Sequence, residues 1–192
     1  MAKETYHHGD LRRALLDAAA EAIGESGPAA LSLRDLARRA GVSHAAPTHH
    51  FGDKKGLLTA LAAEGFEQLA EALAQTHTTT GSFLELGVTY VRFATTHRAH
   101  FEVMWRPDLY HEDDAALSVA RDRAGDALYA GVADLTDGKI GSDADSVREA
   151  GLAGWSLAHG FATLWLSGVL PDTSQPPDET ARSVLRHLTG RS

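Results

Sequence analysis

The chain has 192 residues, a mass of 20.5 kDa and a formal net charge of −8, from 18 Lys and Arg against 26 Asp and Glu. It contains no cysteine, which excludes a disulfide framework, a thiol nucleophile and a cysteine-ligated metal. The first residues have no apolar segment of the kind found in a signal peptide, so we expect a cytoplasmic protein. The acidic balance argues against nucleic acid as a partner until the charges are divided by position.

The charges are distributed unevenly along the chain. Residues 1–60 contain eight Lys and Arg, seven Asp and Glu, and five of the eleven His. Residues 61–192 contain ten bases and nineteen acids, and therefore carry a charge of −9. This asymmetry predicts two functional parts, of which the first tolerates a polyanion. A scatter of charges over solvated faces is the alternative interpretation.

Helical periodicity predicts three short elements at the start of the chain. A first helix ends at Gly27, and Ser32 with Asp35 forms a capping-box pattern at the start of a second helix. Gly41 closes that second helix, and a short third helix extends to Phe51. Two short helices joined by a tight glycine turn and braced by a flanking helix are typical of the helix-turn-helix.

The rest of the sequence also predicts helices and shows no alternating strand pattern. Asp53 caps a long fourth helix that extends to about Thr76, and the THTTTG segment at 76–81 is the predicted linker. Ser82 and Glu85 form a second capping box. We therefore predict an all-α fold of about nine helices, with a three-helix helix-turn-helix domain and a larger C-terminal helical domain. The predicted boundaries are 1–53 for the helix-turn-helix domain, 54–77 for a connecting helix and 78–192 for a ligand-binding and dimerisation domain.

Residues 9–62, from GDLRRALLDAAAEAIGESG to the FGDKKGLLTALA segment, resemble the DNA-binding domain of the tetracycline-repressor-like (TetR) family of transcriptional regulators. The resemblance implies that the third helix enters the major groove, where its polar side chains contact base edges or phosphates. It places the following residues at the DNA: Arg34, Ser43, His44, Ala45, Ala46, Pro47, Thr48, His49, His50 and Lys54. A three-helix bundle with a solvated polar face is the alternative.

Two positions in this segment are informative. Lys54 opens a helix, where a positive charge is unfavourable unless a phosphate lies at the same helix end, and we predict that it binds a phosphate. Thr48 stands where the family usually carries a tyrosine whose hydroxyl contacts a phosphate. The shorter threonine either loses that contact or leaves it to His49.

Residues 150–170 form the longest uncharged segment of the chain. Four glycines within it need a packing reason, which favours a buried helix over a membrane span. Burial in the core and burial between subunits both remain open. We assign a dimer interface to the small-residue stripe and the tryptophan beyond it: Ala150, Gly154, Ala158, Ala162 and Trp165.

The WSLAHG segment places Trp155 and His159 on one helix face, beside Gly160. It resembles the Trp-His-Gly pattern of one TetR subgroup, whose members also tend to begin with a YHHGDLR-like string such as residues 6–12. His159 either lines an effector pocket or is a core histidine bonded to a backbone carbonyl. The predicted effector contacts, each with core packing as the alternative, are Tyr90, Phe93, Phe101, Met104, Trp105, Trp155 and His159.

These features predict a homodimeric, ligand-responsive repressor that leaves a pseudo-palindromic double-stranded DNA operator when a small apolar effector binds. No cofactor, metal or membrane partner is expected. An enzyme that uses His159 with a carboxylate from another helix is the first alternative. A helical adaptor whose first domain binds protein is the second.

Overall fold

In the computed structural model, described for residues 8–133, 144–171 and 174–187, the secondary structure is helical throughout, which confirms the predicted all-α class. The α-helices of these residues are α1 (His8–Ala30), α2 (Leu33–Arg39), α3 (Ala46–Phe51), α4 (Lys54–Thr80), α5 (Phe83–Thr96), α6 (Arg98–Met104), α7 (Ala115–Ala133), α8 (Ala144–Leu166) and α9 (Pro177–Arg186). A single 3-10 turn occupies Pro107–Leu109.

The described residues divide into two compact units. The head unit comprises residues up to 65 together with 99–118, and the body unit comprises 66–98 and the residues from 119 onward. The helix α4 contributes residues to both units. The three predicted domain boundaries remain a prediction, but residues 99–118 group with the N-terminal helices rather than with the C-terminal ones.

Leucine and alanine side chains form the core of the head unit. Leu15 and Ile23 of α1, Leu36 of α2 and Leu61 of α4 are all almost completely buried. Burial of each such side chain stabilises the fold by about 1.5–3 kcal/mol. The close packing of α4 and α6 requires Gly65, since a Cβ atom there would lie 2.6 Å from the Met104 sulfur.

In the body unit, α5 packs against α8 and α9. Leu86 and Val91 of α5 are buried, as are Ala162 of α8 and Leu185 of α9. Glycine permits the closest approach of α5 and α8, because a Cβ atom on Gly154 would overlap the ring of Phe83.

Several predicted helix ends agree with the structure. Gly27 interrupts α1 with a φ of 75°, and Gly41 follows α2 with a φ of 67°. Asp53 caps α4, since its Oδ1 accepts a hydrogen bond of 2.8 Å from the backbone N–H of Gly56. Glycine at the end of a helix and aspartate at its start therefore predicted these helix ends correctly from the local sequence alone.

The predicted linker at residues 76–81 is wrong, because α4 continues to Thr80. The hydroxyls of Thr78, Thr79 and Thr80 donate hydrogen bonds of 2.8–2.9 Å to carbonyls four residues earlier in the helix. These bonds satisfy the threonine side chains within the helix, which ends only at Gly81 with a φ of 57°. Threonine is a poor helix former, and its low helix propensity led to the incorrect prediction of a linker.

Candidate nucleic-acid interface and effector site

The turn between α2 and α3 has the local geometry of a helix-turn-helix. The N–H of Ala40 donates to the Leu36 carbonyl at 2.9 Å, and the N–H of Val42 donates to the Ala37 carbonyl at 3.0 Å. Leu36 and Ala37 are themselves buried. Because these bonds fix the turn and the buried side chains fix α2, the orientation of α3 is set by the core.

The exposed face of α3 consists of Thr48 and His49 together with Ala45, the residue that precedes the helix, and Ser43 and His44 are exposed in the turn before it. Residues at these spacings share one side of a helix. On α2, Arg34 is also exposed. These six residues are accessible to a macromolecule, as the sequence predicted.

The remaining predicted residues of α3 are less accessible. Pro47 is buried, and Ala46 and His50 are half-buried. The rings of His49 and His50 meet edge to face at 5.5 Å. We therefore correct the assignment of Pro47, which packs the helix inward and does not face the interface.

Asp35 has a different role from the one predicted. Ser32 precedes α2 without a side-chain capping bond, so the expected capping box is not formed. Instead the Asp35 carboxylate accepts hydrogen bonds from Arg38 and Arg39, which hold its pKa below the ordinary value. Arg39 also donates to Glu25 at 2.8 Å. Arg38 and Arg39 are therefore both paired with acidic side chains of the head unit.

Lys54 lies at the start of α4 and donates a hydrogen bond of 2.9 Å to the carbonyl of Ala29, near the end of α1. A hydrogen bond from a charged ammonium group to a backbone carbonyl is favourable. The unfavourable position of this charge at its own helix start thus has an intramolecular explanation. Its contact with phosphate remains a prediction.

In the body unit, Tyr90 of α5 links Trp155 and His159 of α8. The Tyr90 Oη lies 2.8 Å from His159 Nδ1, and Trp155 Nε1–H donates to the Tyr90 Oη at 3.3 Å. An indole N–H is only a donor, so the Tyr90 oxygen accepts from Trp155, and the tyrosine hydroxyl shares a second hydrogen bond with the His159 ring. His159 Nδ1 is therefore bonded to a tyrosine hydroxyl.

Burial keeps this Tyr90–His159–Trp155 cluster uncharged. Desolvation raises the pKa of Tyr90 and lowers the pKa of His159. Both shifts favour the neutral form of the side chain. The cluster offers hydrogen-bonding groups in apolar surroundings without a charge.

The other predicted effector residues do not all join this cluster. Phe93 is buried in the body unit and stacks on His97, with ring centroids 4.8 Å apart. Phe101, Met104 and Trp105 belong to the head unit. Only three of the seven predicted residues, namely Tyr90, Trp155 and His159, are brought together by hydrogen bonds.

The small-residue stripe of α8 packs within its own subunit. Ala158 and Ala162 are 2% and 0% exposed, and Gly154 lies against Phe83 of α5. Ala158 and Ala162 are therefore corrected to core positions, whereas the assignment of Ala150, Gly154 and Trp165 to a dimer interface remains a prediction. Trp165 is half-buried, with its ring 5.8 Å from that of Phe161, and Ala150 is half-buried.

The opposite side of α8 was not identified from the sequence. Leu152 is 49% exposed and Leu164 47% exposed, and Ser156 and Thr163 between them are also exposed. At 100° per residue these four side chains lie within about 120° of the helix circumference. From Ala150 onward, α8 carries uncharged residues on all sides, so the sequence did not distinguish its core face from its exposed face.

Ion pairs between distant residues also escaped sequence analysis. Arg182 of α9 donates to both carboxylate oxygens of Glu85 on α5. In the head unit, Glu64 Oε1 lies 3.1 Å from His100 Nε2 and 3.2 Å from a guanidinium nitrogen of Arg13. Neither set has a local sequence signal, because the partners are far apart in the chain.

In the head unit, α3 follows a turn that is fixed by hydrogen bonds and exposes polar side chains. This is the architecture of helix-turn-helix DNA-binding proteins. Two family models match the sequence: bacterial regulatory proteins of the tetR family over residues 15–61, and the tetracyclin repressor-like C-terminal domain over residues 83–188. The chain belongs to the TetR family, whose members are ligand-responsive, DNA-binding transcriptional regulators.

Individual proteins show the same relationship. A protein of unknown function from Rhodococcus sp. RHA1 is 36% identical over 96% of each chain, with a TM-score of 0.78. The TetR family regulator PfmR from Thermus thermophilus is 24% identical over 90% of this chain and 94% of its own, with a TM-score of 0.66. The transcriptional regulator BetI from Escherichia coli O139:H28 is 45% identical over 62 residues, which are 32% of each chain. The match with BetI thus spans about a third of that protein's length.

In the described part of the chain, no helix, α8 included, is long and apolar enough to cross a membrane.

Proposed function

We propose that the chain is a homodimeric repressor whose α2 and α3 bind a pseudo-palindromic operator in double-stranded DNA. The observation that carries the proposal is the exposed face of α3, with Arg34 of α2 beside it. A short helix held by a fixed turn fits the major groove, and two such helices in a dimer reach successive grooves.

Selection of bound genomic fragments by the purified protein tests this proposal. We expect the recovered fragments to share a sequence with dyad symmetry. The double variant Arg34→Ala, Lys54→Ala is expected to bind them at least tenfold more weakly, since it removes two cations from the interface. His187→Gln, on the exposed end of α9, is the matched control. Fragments without dyad symmetry, or unchanged binding by the double variant, would contradict the proposal.

The dimer is proposed to form through the exposed face of α8 that contains Leu152, Ser156, Thr163 and Leu164. Two half-exposed leucines on this face, in the part of α8 from Ala150 onward that carries no charged residue, favour burial against a second copy. Leu164→Glu is expected to shift the mass in light scattering from dimer to monomer. Val119→Glu replaces a residue that is 61% exposed on α7 and is the control. A wild-type monomer at micromolar concentration would contradict this assignment.

The effector is proposed to be a small neutral molecule that contacts the Tyr90–His159–Trp155 cluster. The proposal is supported by the burial of the cluster, which favours the neutral form of Tyr90 and of His159, since a charged ligand would be desolvated there without a counter-charge. The shared hydrogen bonding of Trp155 and His159 to Tyr90 also supports membership of the Trp-His-Gly subgroup.

Effector binding would release DNA only through its different affinity for the two conformations of the protein. Quenching of tryptophan fluorescence by a panel of neutral and charged small molecules, compared between wild type and His159→Ala, tests the effector class. Binding restricted to charged compounds would contradict it.

We further propose that the protein is not an enzyme and that it acts in the cytoplasm, where an operator is accessible. His159 was the candidate general base of the enzyme alternative. Its Nδ1 is bonded to the neutral Tyr90 hydroxyl, which positions the ring without increasing its basicity as a carboxylate would. Catalytic turnover that is lost in His159→Ala would contradict this view.

A further inference from the structure

The described cations of the head unit are largely engaged within the protein. Arg13 pairs with Asp17 and Glu64, while Arg38 and Arg39 pair with Asp35. Lys54 donates to a backbone carbonyl. A protein that binds DNA through few uncommitted cations needs another source of positive charge at the interface.

Two histidines add ionisable groups to the exposed face of α3, beside Arg34 of α2. His44 lies in the turn before α3 and His49 lies on α3, and both are exposed. Within the described residues neither of them forms an ion pair. His50 differs, because it is half-buried and its ring lies beside that of Phe51 at 6.2 Å.

The groups around these two histidines include few uncompensated acids. The charged or titratable side chains in and near α3 include Arg12 of α1, Arg34, Asp35, Arg38 and Arg39 of α2, His50 of α3, Asp53 in the following turn, Lys54 and Lys55 of α4, and His111; α1 also carries Arg13, Asp17, Glu21 and Glu25. Asp35 is paired with two arginines. Asp53 caps the N–H of Gly56 and lies 3.6 Å from His111 Nε2.

We propose that His44 and His49 bind DNA phosphates in their protonated form, so that operator binding by this protein takes up protons. The inference rests on the proposed DNA-binding function and specifies the chemistry of its interface. A neutral imidazole and a protonated imidazole differ by one positive charge, and phosphate favours the charged ring. Two such rings in each head add to the charge supplied by Arg34 and Lys55.

Proton uptake makes the affinity depend on pH in a defined direction. A group that gains a proton on binding strengthens the complex as the pH falls. Because an ordinary histidine changes charge within this range, we expect the affinity to rise by about tenfold or more between about pH 8 and about pH 6. The added charge also predicts that the affinity depends more steeply on salt at the lower pH. The slope of the logarithm of the binding constant against the logarithm of the salt concentration is expected to become steeper by about 0.9 for each added phosphate contact.

The test measures the affinity of the full-length protein for a duplex recovered by genomic selection, at both pH values and several salt concentrations. The double variant His44→Gln, His49→Gln keeps hydrogen-bonding side chains of similar reach but cannot become charged. We expect it to lose most of the pH dependence and the change in salt slope. His187→Gln is the matched control and retains both. His49→Arg has a permanent charge, and we expect it to bind more tightly than wild type at the higher pH.

The outcomes separate this inference from the proposed function. Affinity that is independent of pH, or an equal pH dependence in the double glutamine variant, overturns the inference while DNA binding stands. A salt slope that is the same at both pH values also overturns it, because phosphate contacts would then not depend on protonation. If no duplex is retained at either pH in low salt, the proposed function itself fails. Far-ultraviolet circular dichroism confirms that each variant is folded.

Discussion

The head and body units use their polar side chains in opposite ways. In the head unit, the charged groups around α2 lie at the surface and form short-range pairs such as Arg38–Asp35. In the body unit, the Tyr90–His159–Trp155 cluster is partly or wholly buried and uncharged. The difference shows that one chain can keep charge where a polyanion is proposed to bind and exclude it where a neutral ligand is proposed to bind.

The largest difference in stability is expected between two glycine substitutions in the body unit. A methyl group on Gly154 displaces the ring of Phe83, and we expect Gly154→Ala to destabilise the protein by about 2 kcal/mol. Gly125 on α7 has open space around it, so Gly125→Ala is expected to stabilise the helix by up to about 1 kcal/mol. Chemical unfolding measures both. Equal effects would show that the contact of α5 with α8 is not close in solution.

A second pair of substitutions compares buried tyrosines in the two units. The Tyr90 hydroxyl bonds to the side chains of His159 and Trp155, and the Tyr110 hydroxyl donates a bond of 3.0 Å to the Met104 carbonyl. We expect Tyr90→Phe to cost about 2 kcal/mol and Tyr110→Phe about 1 kcal/mol, since each lost partner adds to the penalty. Urea unfolding with tryptophan fluorescence gives the values. A larger cost for Tyr110→Phe would refute the importance of the body cluster.

Acid titration tests the ion pair between α5 and α9. Arg182 holds the pKa of Glu85 below its ordinary value, so the pair stabilises the fold above the unfolded pKa. That stability is lost as the pH falls below about 4.5 and through the lower folded pKa. Both side chains are about one-third exposed, and solvent screening limits the contribution to about 1 kcal/mol.

We therefore expect Glu85→Gln to be less stable than wild type at neutral pH and to lose less stability on acidification. The comparison uses the midpoint of thermal unfolding from neutral pH to about pH 3. Glu71→Gln, an exposed glutamate of α4, is the control and follows the wild-type profile. Identical profiles for wild type and Glu85→Gln would contradict a stabilising pair.

The smallest effect on stability is expected at the surface of the head unit. Asp35 is exposed to solvent together with its arginine partners, so Asp35→Asn is not expected to change the unfolding midpoint measurably. The same substitution releases Arg38 and Arg39 from their carboxylate and is expected to strengthen DNA binding. Weaker binding would indicate that Asp35 is needed to orient the arginines.

The parts of the fold that local chemistry determines were predictable from the sequence. Gly41 and Asp53 mark helix ends because one adopts a positive φ and the other accepts N–H bonds, and neither depends on distant residues. The face that α8 presents to α5 was not predictable in this way. Small residues such as Ala158 identify a surface suited to close packing, but they do not identify the partner that packs against it.

The candidate site shows the same limit. Exposure of His44 and Arg34 followed from the helix-turn-helix pattern, whereas the bond between Tyr90 and His159 joins residues 69 positions apart. The burial of Pro47 was also missed, since a proline in the first turn of a helix is equally compatible with either face.

The bond from Lys54 to the Ala29 carbonyl lowers the entropy cost of binding a phosphate at this side chain. An ammonium group has three donors, so the side chain keeps two for another acceptor while one holds it in place. A flexible lysine normally loses as much as about 2 kcal/mol of rotamer entropy when it is immobilised. Here part of that loss occurs on folding, and the charge is preorganised before any DNA arrives.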